Sequence, residues 1–364
     1  MRVRLEDVCE KESSKLKQSD VIGQNGMYPV YGASGYLGNI NTYQQSNYYI
    51  AVVKDGAGIG RTMLLPPESS IIGTMQYLIP KDNVLPEYLY YVVKAKHLEK
   101  YFSGATIPHI YFKDYKNEQF DLVSFEEQRE IINRLKKIEI IIDNLSKNLL
   151  LLDELVKARF VEMFGDPFLN EKGWITKPLI DMGNCKNGMN FHYNENGCEV
   201  KCLGVGDFKD LSIINNIESL QTVSLNEMPS EEYMLRDNDI VFVRSNGNKA
   251  LVGRSIVIYP GDVPTTFSGF CIRYRKYDDS IIVPYLLHVL KTDSFRNKMV
   301  GRGANIQNLN QQILASLIIP VPPLELQNQF ASFVEEIDKS RSRIQKSLEA
   351  SQELFDSLMQ EYFG

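Results

Sequence analysis

Long hydrophobic runs are missing from this chain of 364 residues. No run reaches the length of about 18 apolar residues that a membrane-spanning helix needs, so the sequence predicts no such helix. The amino-terminal stretch MRVRLEDVCEKESSK has no apolar core of the kind that secretory signal peptides carry. We therefore expect a cytoplasmic protein with no membrane partner.

The short motifs of common enzyme classes are also missing. The sequence contains no GxxxxGK[ST], GxSxG or HExxH pattern. The stretch KDGAGIG lacks the GxGxxG spacing of dinucleotide-binding proteins, and the four histidines are scattered. We find no methyl-donor motif and no cluster of nuclease carboxylates. The sequence therefore predicts no catalytic residues and no cofactor in this chain.

Cysteine is scarce, and the odd number of five does not predict a set of disulfides. Cys198 and Cys202, with Cys185 and His192 nearby, are candidate zinc ligands. However, CEVKCLGVG alternates like a β-strand, and residues four apart on a strand lie roughly 13 Å from each other. That distance is too long for two ligands of one zinc ion. We therefore predict structural thiols and no metal site.

A net positive charge is lacking as well. The net charge is -6, and the acidic excess falls in residues 122–173 and 320–364, whereas residues 1–121 and 174–319 are each neutral. Neutral blocks can still carry local basic surfaces. The overall charge therefore does not exclude a nucleic-acid partner.

An internal repeat is present. When Gly104 is set against Gly303, the chain aligns without a gap as far as Gly165 against Gly364, with identities that include the Gly-Ala-x-Ile at the start and the Phe-Gly at the end. Fainter echoes precede it in the same order: VVKDGAGIGRT resembles FVRSNGNKALVGRS, and EYLYYVVK resembles PYLLHVLK. The chain is therefore a tandem duplication of a variable block followed by a more similar segment.

The similar segment carries a heptad pattern typical of a coiled coil. In the first copy the apolar positions are spaced alternately by four and three residues, namely Ile131, Leu135, Ile138, Ile142, Leu145, Leu149, Leu152 and Val156. Ser124 and Glu127 form a candidate capping box at its start. In the second copy Arg341 and Ser351 interrupt the pattern. We predict two long helices that pair as an antiparallel coiled coil. An ordinary core helix is the alternative.

Some apolar residues of the first helix fall outside the heptad positions. They are Ile140, Ile141, Leu150 and Leu151. Such a second apolar face needs a partner subunit to cover it.

The variable blocks are rich in Tyr, Val, Ile and Gly and predict α+β domains, each built around a curved sheet. Their glycine-rich polar loops carry isolated cations, tyrosines and asparagines. Asn side chains can bond adenine, and Arg can bond guanine, in the major groove of DNA. The candidate DNA-binding residues are Tyr31, Ser34, Tyr36, Lys54, Arg61, Arg244, Asn246, Asn248, Lys249 and Arg254. Each loop is equally compatible with an ordinary hairpin turn.

This layout resembles the specificity subunits of type I restriction-modification systems. The resemblance covers essentially the whole chain. It rests on the repeated Gly-Ala-x-Ile element, the helix openings LVSFEEQREII and PVPPLELQNQF, the long heptad helices and the phrase YPVYGASG.

The resemblance implies target recognition domains at residues 1–121 and 174–319, spacer helices at 122–165 and 320–364, and a linker at 166–173. It implies that each domain reads one half of a split, asymmetric sequence on double-stranded DNA. The helices would carry two adenine-N6 methyltransferase subunits, and restriction subunits where these exist. S-adenosylmethionine, ATP and Mg would be bound by those partners, and Gly-Ala-x-Ile would be the junction between recognition domain and helix.

Two other functions stay open. The chain could be an enzyme with fused DNA-reading domains, which requires a catalytic motif that we do not find. It could also be a non-DNA interaction scaffold that displays two β-rich modules on paired helices. DNA binding in the presence of methyltransferase subunits distinguishes the scaffold from the specificity subunit.

Overall fold

The computed structural model describes residues 1–104, 108–190, 197–208, 212–300 and 308–364, apart from the side chain of Lys249. The chain forms two compact units. Unit 1 comprises residues 1–149 and 343–364, and unit 2 comprises residues 150–342. Each unit mixes helices and strands, so the predicted α+β class is confirmed.

Unit 1 contains nine strands in a four-stranded sheet (β2-β8-β5-β6), a three-stranded sheet (β4-β3-β7) and a two-stranded pair (β1-β9) among its described residues. The strands are β1 Arg2–Arg4, β2 Cys9–Ser13, β3 Tyr28–Gly32, β4 Gly35–Ile40, β5 Tyr49–Val53, β6 Thr62–Leu65, β7 Ser70–Ile71, β8 Met75–Pro80 and β9 Gln119–Asp121. The helices are α1 Leu5–Val8, α2 Pro86–Ala95, α3 Phe112–Tyr115 and the long α4 Phe125–Phe164, which continues past Leu149 into unit 2.

Unit 2 repeats this plan, with sheets in the orders β11-β18-β15-β16-β13 and β14-β12-β17 and the pair β10-β19. The strands are β10 Ile175–Pro178, β11 Gly183–Asn187, β12 Cys198–Leu203, β13 Ile213–Ile214, β14 Gln221–Leu225, β15 Asp239–Val243, β16 Ser255–Ile258, β17 Thr265–Phe267, β18 Cys271–Lys276 and β19 Ile318–Val321. The helices are α5 Val283–Lys291, α6 Asp293–Val300, α7 Gln311–Ala315 and the long α8 Leu324–Phe363, of which the part from Arg343 belongs to unit 1.

The two sets of sheets have matching topology. The order β2-β8-β5-β6 corresponds to β11-β18-β15-β16, and β4-β3-β7 corresponds to β14-β12-β17. The duplication inferred from the sequence therefore extends through both variable blocks. Each block divides its strands between separate sheets, so the expectation of one curved sheet is wrong.

The two long helices pair in opposite directions within each unit. In unit 1 the start of α4, at Leu135 and Ile138, shares a hydrophobic core with the end of α8, at Phe355 and Met359. In unit 2 the end of α4 lies in a core with the start of α8; the members are Val156, Phe160 and Phe164 of α4 and Phe330, Val334 and Ile337 of α8. The antiparallel coiled coil predicted from the heptads is confirmed. Each unit combines one variable block with segments of both helices.

The Phe-Gly that ends both repeats has a packing role. Phe164, near the end of α4, packs edge-on against Tyr285 of the second block, with ring centroids 4.8 Å apart. Phe363, near the end of α8, packs edge-on against Tyr88 of the first block, at 5.3 Å. Each helix therefore begins beside its own block and ends against the other block. The same terminal residue is required twice because the two docking sites are equivalent.

The start of α4 shows the serine half of the predicted capping box. Ser124 precedes the helix, and its Oγ accepts a hydrogen bond from the backbone N–H of Glu127 at 3.3 Å.

The apolar residues outside the heptad positions are exposed, as the pattern indicated, by 59% at Ile140 and 66% at Leu150. Among the described residues, no helix is long and apolar enough to cross a membrane.

Candidate DNA interface

The two echoed loops are the same hairpin in both units. In unit 1 the backbone N–H of Val53, at the end of β5, donates to the carbonyl of Arg61 at 2.9 Å. In unit 2 the backbone N–H of Val243, at the end of β15, donates to the carbonyl of Arg254, also at 2.9 Å. The candidate cations Lys54 and Arg244 directly follow these valines. The weak sequence echo therefore reflects two equivalent loops.

A glycine closes each of these loops. Gly60 (φ +81°) donates to the carbonyl of Val53 and Gly253 (φ +76°) to that of Val243, each at 2.9 Å. A positive φ is strained for residues with a side chain. At Gly60 an added Cβ would also lie 2.5 Å from the backbone nitrogen of Glu99. These positions require glycine for backbone reasons, independent of any ligand.

The five candidates of the first unit lie on two neighbouring hairpins, β3–β4 and β5–β6. Tyr31 and Tyr36 are paired across the β3–β4 hairpin, and the exposed Ser34 lies in its turn. The guanidinium of Arg61 donates to the carbonyl of Ala33 in the same turn at 2.8 Å. The hairpin turn and the β5–β6 loop therefore form one surface.

The two tyrosines differ in exposure. Tyr36 is 60% exposed, whereas Tyr31 packs against a hydrophobic cluster of the sheet. Burial, with the neighbouring Tyr36, raises the pKa of Tyr31. Both rings line an open cleft of about 420 Å³ together with Lys136 and Glu139 of α4. Tyr36 is exposed enough to contact a ligand, and the ring of Tyr31 packs edge-on beside it.

Lys54 lies beside a hydrogen-bonded pair of side chains, Asp55 and His109. Its Nζ is 3.9 Å from Oδ2 of Asp55, and Oδ1 of Asp55 lies 2.7 Å from Nδ1 of His109. The carboxylate thus lies between the lysine and the imidazole. Its position fixes the loop and partly offsets the positive charge of Lys54.

In the second unit, two asparagines shape their own loop. Oδ1 of Asn246 accepts from the backbone N–H of Asn248 at 2.7 Å, and Oδ1 of Asn248 accepts from that of Ala250 at 3.0 Å. An amide oxygen has a second lone pair, and the amide nitrogen has two hydrogens to donate. Base contact by these residues is therefore compatible with the loop. The side chain of Lys249 lies outside the described part of the chain.

Arg244 and Arg254 lie at the two ends of this loop. The guanidinium of Arg244 donates to the carbonyl of Gly269 at 3.2 Å. That of Arg254 donates to the carbonyl of Phe208 at 3.4 Å. Burial, together with the nearby Arg254, lowers the pKa of Arg296. The same two causes lower the pKa of Lys291 to about 8. The loop therefore adjoins a cationic cluster that the sequence did not reveal, because Arg254 belongs to the loop itself whereas Lys291 and Arg296 come from α5 and α6.

The flanks of the repeated Gly-Ala-x-Ile element contact the same loops. The backbone N–H of Ile110 donates to the carbonyl of Lys54 at 2.9 Å, and that of Leu309 donates to the carbonyl of Arg244 at 2.8 Å. The central residues of both copies lie outside the described residues. In the first unit α3 and β9 separate the described flank from α4. The expected junction role of the element therefore falls outside the described residues, and its described flanks adjoin the candidate DNA loops.

The strand predicted for Cys198 and Cys202 is present. Cys198 and Cys202 lie on β12, and all five cysteines are free thiols. Burial raises the pKa of Cys202 to about 12, which keeps it protonated at neutral pH. Within the described ranges, which omit His192, no group of His, Cys, Asp and Glu could hold a metal ion.

Known proteins match most of this chain. The sequence profile of the type I restriction modification DNA specificity domain matches twice, at residues 1–151 and 171–352. The specificity subunit of the type I restriction enzyme MjaVIII from Methanocaldococcus jannaschii is 24% identical over 82% of this chain and 76% of its own length. That of StySPI from Salmonella potsdam is 25% identical over 81% of this chain and 68% of its own.

Solved structures show the same fold. The S subunit of a type I restriction-modification system from M. genitalium superposes with a TM-score of 0.63 at 18% identity, over 100% of this chain and 96% of that one. A chain from a study of complex assembly and conformational transition in a type I system gives a TM-score of 0.56 at 15% identity, over 100% and 97%. Proteins of this family are the non-catalytic, DNA-recognising components of their systems. The chain belongs to the family of type I restriction-modification DNA specificity subunits.

Proposed function

We propose that this subunit reads a split, asymmetric DNA sequence, with one half-site contacted by each unit, and directs two adenine-N6 methyltransferase subunits to it. The observation that carries the proposal is the pair of equivalent hairpin loops that begin at Lys54 and Arg244. They occupy the same place on matching sheets, closed by the same backbone hydrogen bonds. Equivalent placement suits two half-sites.

The residues of the two loops differ, which supports different half-sites. The first loop reads KDGAGIG and the second reads RSNGNKALVG. Arg is the side chain best suited to guanine and Asn to adenine, whereas Lys acts as a compact charge. We propose that Tyr36, Ser34, Lys54 and Arg61 serve the first half-site. Arg244, Asn246, Asn248, Lys249 and Arg254 would serve the second.

The helices offer the surface for the methyltransferase subunits. Ile140 and Ile141 of α4 are 59% and 48% exposed within unit 1, and Leu150 and Leu151 are 66% and 62% exposed within unit 2. Large exposed apolar side chains in a row mark a protein contact. The acidic excess of the helix segments disfavours DNA phosphates as their partner. S-adenosylmethionine, ATP and Mg would be held by the partner subunits, with restriction subunits joining where the system has them.

Methylome sequencing tests the proposal. Cells that express this chain with a methyltransferase subunit are compared with cells that express the methyltransferase subunit alone. We expect a new split motif, methylated on adenine in both halves. If the complex assembles and no new motif is found, the interaction-scaffold function replaces DNA reading.

A further inference from the structure

The stretch from His109 to Lys113 lies directly beside the first recognition loop. The backbone N–H of Gly56 donates to the carbonyl of Pro108 at 3.0 Å, and that of Ile110 donates to the carbonyl of Lys54 at 2.9 Å. The side chains add the contact between His109 and Asp55 at 2.7 Å. These bonds fix the stretch against the loop, so a ligand on the loop lies within reach of it.

The exposed side chains of this stretch form a short row of rings and charge. The ring of Tyr111 stacks on that of His109, with centroids 6.3 Å apart and planes at 22°. Nζ of Lys113 lies over the other end of the row, 5.4 Å from the centroid of Tyr111. Tyr111 is 48% exposed, and Lys113 is also exposed.

Lys113 differs from several neighbouring lysines in its electrostatic surroundings. Lys100 forms an ion pair with Glu118, and Lys116 forms one with Glu6. Within the residues that the structure describes, no carboxylate lies within 4.0 Å of Lys113 Nζ, which lies over the ring of Tyr111. An exposed ammonium without a carboxylate partner is suited to neutralise a phosphate.

In the second unit, the equivalent stretch makes the same backbone hydrogen bond, from Leu309 to Arg244, but carries different side chains. At the equivalent positions it carries Asn310 in place of Tyr111 and Gln312 in place of Lys113. Asn310 is occupied as the cap of α7, where its Oδ1 accepts from the backbone N–H of Ile313 at 2.9 Å. The ring and the cation are therefore particular to the first unit.

We propose that Tyr111 and Lys113 form a further DNA-contact site, which binds the sugar-phosphate backbone beside the bases met by the Lys54–Gly60 loop. This inference rests on the proposed function. A hydroxyl and an ammonium bind phosphate oxygens irrespective of base sequence. The site therefore contributes affinity and register in the first unit and leaves the recognised sequence unchanged.

The test uses the assembled complex with methyltransferase subunits and a duplex that carries its methylation motif. Binding is measured by fluorescence anisotropy between about 50 and 200 mM salt. We expect Lys113→Ala to reduce the slope of log affinity against log salt by about 0.9, the value for one phosphate contact. Tyr111→Phe, which keeps the ring and removes the hydroxyl, should weaken binding severalfold.

Matched variants separate charge from folding. Lys113→Arg should restore the salt slope, and Gln312→Ala at the equivalent position of unit 2 should leave it unchanged. An unaltered slope in Lys113→Ala, or an altered methylation motif, overturns the inference while the proposed function stands. A wild-type complex that assembles yet fails to bind the duplex overturns both.

Discussion

Gln327 on α8 accepts a hydrogen bond through its Oε1 from the backbone N–H of Ile282, at 2.9 Å. Ile282 is the cap residue of α5, so this bond joins the long helix to the first turn of the block's helix. Gln128 on α4 does the same with Leu85, the cap residue of α2, also at 2.9 Å. Both glutamines are almost completely buried. The identity of the two residues in the repeat thus reflects one structural role.

Replacing Gln327 with leucine should destabilise unit 2. The change leaves the N–H of Ile282 and the carbonyls of Ser280 and Pro322 without their partner. Such a loss costs about 1–3 kcal/mol for a buried group. The fluorescence of Trp174, the single tryptophan, reports on unit 2 during urea unfolding. Gln128→Leu is the matched control in unit 1, and an unchanged midpoint in Gln327→Leu would contradict the assigned role.

Arg341 occupies a heptad position that Ile142 fills in the first copy. Its Nη1 lies 2.6 Å from Oδ1 of Asp153 on α4, and both side chains are more than one-third exposed. We expect this pair to contribute about 0.2–1 kcal/mol at low salt and little at high salt. A double-mutant cycle with Arg341→Ala and Asp153→Ala measures it. A coupling energy well above that range, unchanged by salt, would show a pair shielded from solvent.

Acid should weaken unit 2 through His288. Burial lowers its pKa to about 4, with Phe330 packed edge-on against the imidazole at 4.9 Å. In the unfolded chain the pKa is about 6.5, so the unfolded state binds the proton first as the pH falls. The free energy of unfolding is therefore highest above about pH 6.5. It falls towards pH 4 by up to about 1.4 kcal/mol per pH unit.

The comparison of wild type with His288→Gln isolates this effect, because glutamine does not titrate. Unfolding is followed by Trp174 fluorescence between pH 4 and 8. The difference in unfolding free energy between the two proteins should change with pH only below about 6.5. A difference that is constant with pH would mean that His288 titrates alike in both states.

Arg244→Ala or Asn246→Ala should relax reading at one half-site. Loss of a bidentate base contact costs about 1–3 kcal/mol of discrimination. Methylome sequencing with each variant should show extra bases tolerated in one half of the motif and the other half unchanged. A motif identical to that of the wild type would remove the residue from the set of base contacts.

The isolated subunit should bind DNA weakly. Residues 1–121 and 174–319 have no net positive charge, and affinity for DNA depends on several neutralised phosphates. Anisotropy titration of a duplex carrying the motif should give a dissociation constant above the micromolar range in moderate salt, and tighter binding once methyltransferase subunits are added. Micromolar or tighter binding by the chain alone would show that it supplies the phosphate contacts itself.

The sequence by itself determined the duplication, the two long helices and the α+β blocks. These features depend on local patterns: the heptad spacing sets the face of a helix, and Ser124 sets where α4 begins. It also placed the two hairpin loops at equivalent positions, because short glycine-containing turns between apolar strands are locally encoded. The sequence showed that Phe-Gly recurs at the end of both repeats, but it did not show that each Phe packs against a tyrosine of a variable block.

Only the tertiary structure decided which elements meet. It packed Phe164 on Tyr285 and Phe363 on Tyr88, so that each helix ends against the other block. It also set the flank of Gly-Ala-x-Ile at Ile110 beside Lys54. These contacts join residues far apart in the chain, and they depend on the mutual fit of surfaces. A local sequence pattern cannot predict such contacts. Side-chain packing and backbone hydrogen bonding depend on residues from the whole chain.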